Sequence, residues 1–314
     1  MLTMSEYFII AICLLTLAFG SRLVVNEISS LSKLLHSSVF GLSVLLLGFL
    51  TSLPELSVAI TAEIDQQPQI YAGNLMGGSF LLLAGIIPLF TYLQNGLSLK
   101  KNLRGPGLFV FMLLLSSPLL AALDGVISKP EAVAMIIAYV IFLGVTKPVS
   151  VNGVRHAHVP LRALVWKILK IVLAAVVIYL ACTQLVAITE SVAHRFGIPA
   201  FMISFLALSL GTNIPELTLA LQAIFKKKSD VAFGDYVGSA AANPLMLGVF
   251  SLYHGSYVLG IDNLIWIIGV FLLVNAVFLL FAMSKNRLSK GEALGLLTVY
   301  LVVTLLQILG IPQG

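Results

Sequence analysis

Apolar runs long enough to cross a bilayer, roughly 17 to 25 residues each, recur from one end of this chain to the other with only short polar breaks between them. They predict ten membrane helices, over residues 7–25, 39–62, 70–93, 107–123, 131–146, 165–188, 199–224, 232–253, 262–283 and 291–310. Little is left over for a soluble domain. The first run has Glu6 before it, no Lys or Arg ahead of it and Arg22 near its end. It reads as a first transmembrane helix and not as a cleaved signal peptide.

Ten spans throw the loops alternately onto two faces, and the basic residues sort between them. One face receives Arg22, Lys33, Lys100, Lys101, Arg104, Lys147, Arg155, Arg162, Lys167, Lys170, Lys226, Lys227, Lys228, Lys285, Arg287 and Lys290, which is sixteen of the eighteen Lys and Arg; the other receives Lys129 and Arg195. The positive-inside rule makes the first face cytoplasmic and puts both termini outside. One missed or invented helix would scramble every later loop, so the clean partition also supports the count of ten.

Composition agrees. Of 314 residues, 59% are hydrophobic and 10% charged, against about 25% charged in an ordinary soluble domain. The net charge of +5 raises the question of nucleic acid, but the basic residues lie in short loops without interleaved aromatics, so topology accounts for them and no nucleic-acid partner is expected. Lys226–Lys228 is read as a topogenic, lipid-facing basic loop. Cys13 and Cys182 lie inside apolar runs and suggest neither zinc nor a disulfide. His36, His156, His158, His194 and His254 map to loops or span ends and are expected to be solvated, with no catalytic role.

The chain also repeats itself. An ungapped offset of 161 residues lays Thr51-Ser52-Leu53-Pro54-Glu55-Leu56 on Thr212-Asn213-Ile214-Pro215-Glu216-Leu217, and Gly73 and Gly77 on Gly234 and Gly238. The loop after the first copy carries Glu63 and Asp65 and falls outside; its counterpart, Lys226-Lys227-Lys228, falls inside. The repeats therefore face opposite ways, an arrangement common in secondary transporters. The expected fold is an all-α polytopic membrane protein of ten transmembrane helices in two inverted five-helix repeats: residues 1–147 for the first, a short cytoplasmic linker at 148–164, and 165–314 for the second.

Chemistry concentrates at the repeated motif. Glu55 and Glu216 lie mid-span, where an ionisable group costs at least about 2.5 kcal/mol unless paired or hydrated. The proline before each has no N–H, so the carbonyls of Leu50 and Gly211, four residues earlier, lose a helical partner and become available to a ligand. Thr51 and Thr212 stand one turn before the glutamates and share their helix faces. Carboxylate, hydroxyl and carbonyl together are the oxygen donors that a hard cation such as Ca²⁺ or Na⁺ selects. Asp235, Ser239 and Asn243 recur at intervals of four and form a polar stripe that could face both glutamates; the matching stripe is Asn74, Gly78 and Leu82, with Ser79 beside it. The bland alternative is a pair of proline-kinked helices whose glutamates bond only to neighbours, with Asp235 hydrated near an interface. The spacings Gly73-x-x-x-Gly77 and Gly234-x-x-x-Gly238 let helix backbones approach closely.

Thr-Ser-x-Pro-Glu-Leu followed by Gly-Asn-x-x-Gly, and Gly-Thr-Asn-x-Pro-Glu-Leu followed by Gly-Asp-x-x-Gly-Ser, resemble the two α-repeats of the calcium/cation antiporter superfamily, which includes the sodium/calcium exchangers. The resemblance is specific over residues 42–90 and 203–250. It implies alternating-access exchange, a central ion site built by helices two, three, seven and eight, and helices one and six sliding across them. Carried over by position, it makes Glu55 and Glu216 the central carboxylates and gives Thr51, Ser52, Thr212 and Asn213 hydroxyl, backbone or amide oxygens at flanking ion sites. Departures from the pattern are Leu82 where an amide is usual, Leu50 where a glycine usually precedes the threonine, and Asn213 itself; a thinner ligand set points to fewer sodium sites, proton coupling or another substrate.

The function expected is secondary active cation antiport, Ca²⁺ against Na⁺ or H⁺, with inorganic cations and the lipid bilayer as partners, no cofactor and no enzymatic reaction. The compact layout favours a prokaryotic cell membrane. A passive cation pore would conduct without counter-transport, and a non-transporting ion-binding scaffold would be stabilised by metal without flux.

Overall fold

The computed structural model describes residues 4–34, 44, 48–147, 161–226, 229–260 and 264–308. The chain is almost wholly helical: α1 Met4–Leu34, α2 Gly48–Thr51, α3 Leu53–Ile64, α4 Pro68–Phe80, α5 Ile87–Leu93, α6 Pro106–Ala121, α7 Lys129–Thr146, α8 Leu161–Phe196, α9 Ala200–Ile203, α10 Ser209–Thr212, α11 Ile214–Lys226, α12 Ser229–His254, α13 Leu264–Lys285 and α14 Lys290–Ile308. A π-helical stretch, Leu81–Ile86, joins α4 to α5, and another, Ser204–Leu208, joins α9 to α10. Pro54, Pro68, Pro106 and Pro130 each fall in the first turn of a helix, where a missing N–H costs nothing.

Among the described residues, six helical segments are long and apolar enough to cross a membrane: Pro68–Leu93, Pro106–Asp124, Lys129–Thr146, Val165–Phe196, Ile265–Ser284 and Lys290–Gln307. The other four expected spans differ for identifiable reasons. Residues 39–62 fall partly outside the described residues, and 199–224 is divided at Asn213 into shorter helices. The apolar part of α1 is Met4–Gly20, and α12 carries a polar stripe. The expected linker, 148–164, lies largely outside the described residues, as do His36, His156, His158, Lys227, Lys228 and both extreme ends.

Two helices run past the apolar windows that announce them. Residues 7–25 and 165–188 become α1, 31 residues, and α8, 36 residues; at 1.5 Å per residue these are roughly 46 and 54 Å long, well beyond a hydrocarbon core of about 30 Å. They pack against each other, with the Ile178 side chain closed over Gly20.

The centre of the molecule is the segment Pro68–Leu93, 89% buried in its most apolar stretch, whereas α7 and α14 are only 22% and 17% buried there. Phe80, on the central segment, meets Phe205, Phe271 and Tyr300, tying three other parts of the chain to it. Apolar side chains such as Phe8, Phe109, Ile137, Trp166 and Leu280 point outward, as lipid contact requires.

Two-residue strands close the periphery. β1 (Leu97–Ser98) pairs antiparallel with β4 (Arg287–Leu288), and β2 (Val126–Ile127) with β3 (Tyr257–Val258). Capping boxes start α7 and α14: Glu131 accepts from the backbone N–H of Ser128, and Glu292 from that of Ser289, each at 2.7 Å. Polar contacts between segments distant in the sequence join Glu27 to Lys167 and Lys170, Lys100 to Asp230, and Ser229 to Gln94 in one set. In the other set they join Arg195 to Glu6, Gln67 to Glu190, and His254 to Glu63.

Candidate functional site

The repeated motif breaks its helix twice. Ser52 stands between α2 and α3 and Asn213 between α10 and α11, with Leu53-Pro54 and Ile214-Pro215 opening the new helices. Each break sets a threonine before it and a glutamate one turn after it, all buried: Thr51, Glu55, Thr212 and Glu216 are at most 1% exposed.

Close packing of α4 and α12 onto these breaks comes from glycine. A Cβ on Gly77 would run into the carbonyl oxygen of Phe205, and one on Gly238 into that of Val44; Val44 and Phe205 are themselves 161 residues apart. Gly73 meets the Phe201 carbonyl in the same way. Gly48 packs against the Gly238 backbone, bringing α2 onto α12.

Around the first break, the Thr51 hydroxyl donates to Asp235 Oδ1 at 2.9 Å and lies 3.0 Å from Ser239 Oγ. Ser239 in turn stands 3.2 Å from Glu216 Oε1 and 3.1 Å from the Gly48 carbonyl. Around the second, the Thr212 hydroxyl donates to Asn74 Oδ1 at 3.2 Å, and Asn213 Nδ2 donates to Glu55 Oε1 at 2.9 Å. Both networks cross between the halves of the sequence. They bring Glu55, Glu216, Thr51, Thr212, Asn213, Asn74, Asp235 and Ser239 into one buried polar cluster.

Asp235 is fully buried, so the hydrated interface position does not apply. Ser52 lies at the break but turns its hydroxyl to the Gly48 carbonyl at 2.8 Å. Asn243 stands beside Gly78, with Nδ2 3.1 Å from where a Cβ on that glycine would be. Ser79 is buried, and its hydroxyl has no hydrogen-bond partner among the described residues.

Several buried oxygens lack a partner among the described residues: Glu55 Oε2, Glu216 Oε2, Asp235 Oδ2, Asn243 Oδ1 and Ser79 Oγ. Orphaned acceptors at such depth are costly, and hard-oxygen donors left open are what a cation substrate would use. Among the described residues, no three Asp, Glu, His or Cys side chains form a group that could hold a metal by themselves, so hydroxyl, amide and carbonyl oxygens would have to complete any shell.

Two features escape the sequence reading. Gly78 makes room for the amides of both Asn213 and Asn243; an absent side chain signals nothing until its neighbours are known. His254, expected to be solvated, instead places Nδ1 3.0 Å from Glu63 Oε2 and sets its ring edge-on to Tyr257. A separate cavity of about 470 Å³ is lined by Gln67, Glu190, His194 and Pro199, among others, and by none of the carboxyl cluster.

The chain matches the family model of the sodium/calcium exchanger protein over residues 5–146 and 166–309. It is 24% identical over 283 residues to the inner membrane protein YrbG of Escherichia coli (strain K12), covering 82% of each chain. It is 26% identical over 243 residues to a putative antiporter, CaxA, of Alkalimonas amylolytica, covering 70% of this chain and 72% of that one, and 23% identical over 345 positions to the sodium/calcium exchanger MaX1 of Methanosarcina acetivorans, covering 94% and 96%. The fold is similar to that of the sodium-calcium exchanger NCX_Mj in a structure soaked with Na⁺ and Sr²⁺, with a TM-score of 0.70, 21% identity and coverage of 96% of this chain and 98% of that one. With its apolar helices, its two proline-broken motifs and a family match that spans nearly the whole sequence, the chain belongs to the sodium/calcium exchanger family of integral, multi-pass membrane proteins.

Proposed function

We propose that this protein is a secondary active cation antiporter that exchanges Ca²⁺ for Na⁺ or H⁺ by alternating access through a central site containing Glu55 and Glu216. The observation that carries the reading is the burial of both glutamates, each with one oxygen lacking a partner among the described residues and the other met by a side chain. Thr51, Thr212, Ser52, Asn74, Asp235, Ser239, Asn243, Ser79 and the carbonyls of Leu50 and Gly211 are the oxygens from which a Ca²⁺ or Na⁺ shell would be drawn; Asn213 lines the site.

Coupling follows from electrostatics. Two buried carboxylates repel when both are charged and need a compensating cation or proton. A site emptied of both resists reorientation, so Ca²⁺ and its exchanging ions take turns in neutralising it.

The architecture we infer is ten helices in two inverted repeats, residues 1–147 and 165–314, joined by a cytoplasmic linker at 148–164, with both termini outside. The small sheets support it. The 161-residue offset carries β1 onto β3 and β2 onto β4 to within one residue, so exchanging the halves turns the β1·β4 pair into the β3·β2 pair. The same offset carries the capping box Ser128/Glu131 onto Ser289/Glu292. The polar contacts described above also join only segments assigned to one face. Relatives in a bacterium's inner membrane and in an archaeon favour a prokaryotic cell membrane.

The test is ⁴⁵Ca²⁺ uptake into proteoliposomes under outward Na⁺ or H⁺ gradients imposed separately. Uptake should follow one gradient and fall by roughly 100-fold or more in Glu55→Gln and in Glu216→Gln, since a charged ligand is lost outright. Transport at the wild-type rate in either variant, or uptake indifferent to both gradients, would overturn the reading.

A further inference from the structure

The two helix breaks are filled by different residues, and the difference falls on the carboxyl groups. At the first break the Ser52 hydroxyl bonds to the Gly48 carbonyl, and the held oxygen of Glu216 is met by Ser239. At the second break Asn213 makes the corresponding bond, Nδ2 to the Ser209 carbonyl at 2.9 Å, but the same nitrogen also donates to Glu55 Oε1 at 2.9 Å. A backbone carbonyl and a carboxyl oxygen both accept, so the amide presents its nitrogen here, and its two hydrogens are both engaged.

Space for that nitrogen depends on Gly78. A Cβ there would stand 3.1 Å from Asn213 Nδ2, closer than such contacts ordinarily come. At the 161-residue offset Gly78 corresponds to Ser239, the residue that serves Glu216. One glutamate is therefore met by a hydroxyl, which can rotate and turn a lone pair to a cation; the other is met by an NH₂ group, which has no lone pair to offer. The amide points partial positive charge at Glu55 where a mobile ion would bring a whole one, and its hydrogens repel any cation that approaches on that side.

We infer that the Asn213 amide is a tethered substitute for one monovalent cation beside Glu55, so that this protein binds one monovalent ion fewer than it would with a hydroxyl residue at the second break. For its meaning in transport this rests on the antiport reading; the ion count itself does not.

The experiment is equilibrium ²²Na⁺ binding to the purified full-length protein, with Asn213→Ser and Asn213→Thr as two hydroxyl replacements of different volume and monodispersity on size exclusion as the check of folding. A folded replacement should bind about one more Na⁺ per chain than the wild type, completing an oxygen shell where the NH₂ stood. Equal counts in wild type and a folded replacement would overturn the inference. Ca²⁺ flux measured on the same preparations separates the two claims: an extra bound Na⁺ with no exchange in the wild type keeps the inference and sinks the antiport reading.

Discussion

Thr51 and Thr212 stand at matching points of the two halves, each before a helix break and each reaching across to the other half, but they meet different chemistry. Thr51 bonds to the carboxyl of Asp235 and neighbours Ser239, whereas Thr212 bonds to the amide of Asn74. The backbone frame is shared nevertheless: Gly77 and Gly238 press onto the carbonyls of Phe205 and Val44, positions equivalent in the repeat. Frame and ligand set have thus diverged separately. Close backbone contact tolerates no added atom, while a polar side chain can be exchanged for another provided that its partners remain satisfied.

The largest effect should come from breaking the shared frame. Gly77→Ala and Gly238→Ala each force a methyl group onto a backbone oxygen and should destabilise by about 1–3 kcal/mol or more, since overpacked cores relax only partly. Both should lower the melting temperature in detergent to similar extents, with Gly144→Ala, which has nothing within 4 Å of the added atom, as the neutral control. Unequal shifts would mean that the halves do not share their packing.

A smaller effect should distinguish the halves. Thr51→Val removes a hydrogen bond to a carboxyl group and Thr212→Val one to a neutral amide; when Asp235 is ionised beside a bound cation, its bond is stronger by about 1 kcal/mol. Exchange should therefore fall roughly fivefold further in Thr51→Val than in Thr212→Val. Matching losses would show that the two hydroxyls are equivalent despite their partners.

The smallest concerns the two ends of the α1–α8 pair. At one end Lys170, with Lys167, holds the Glu27 carboxyl below its ordinary value of 4.5. A depressed carboxyl contributes stability that is present above pH 4.5 and is lost as the pH falls through the lower folded value. This partly exposed pair is worth about 0.5 kcal/mol, so the melting temperature of the wild type should drop slightly more than that of Glu27→Gln on acidification. At the other end Arg195 grips both oxygens of Glu6, a contact that the wild type and Glu27→Gln share.

How much of this was legible follows the range over which each feature is encoded. The turn spacing of Thr51 with Glu55, and of Asp235 with Ser239 and Asn243, is local, and the structure brings most of those residues to one cluster. Depth in the membrane is not local, which is why Asp235 read equally well as hydrated. His254 and Glu63 lie 191 residues apart, and nothing near either announces the other. Two-residue strands are too short to carry a period, so none of the four among the described residues can be read from the sequence. The ends of α1 and α8 lie beyond the expected spans because hydropathy marks only the lipid-crossing part, whereas helical hydrogen bonding continues past it.

The paired strands bear on ancestry. Among the described residues each half carries two strand edges, and every partner lies in the other half: β1 and β2 need β4 and β3. A lone half would leave these edges open to association, whereas two identical halves inserted in opposite senses could form both pairs with each other, as the subunits of a two-fold dimer do. The seams between the present halves are those expected if a single gene, once encoding such a dimer, was duplicated and fused.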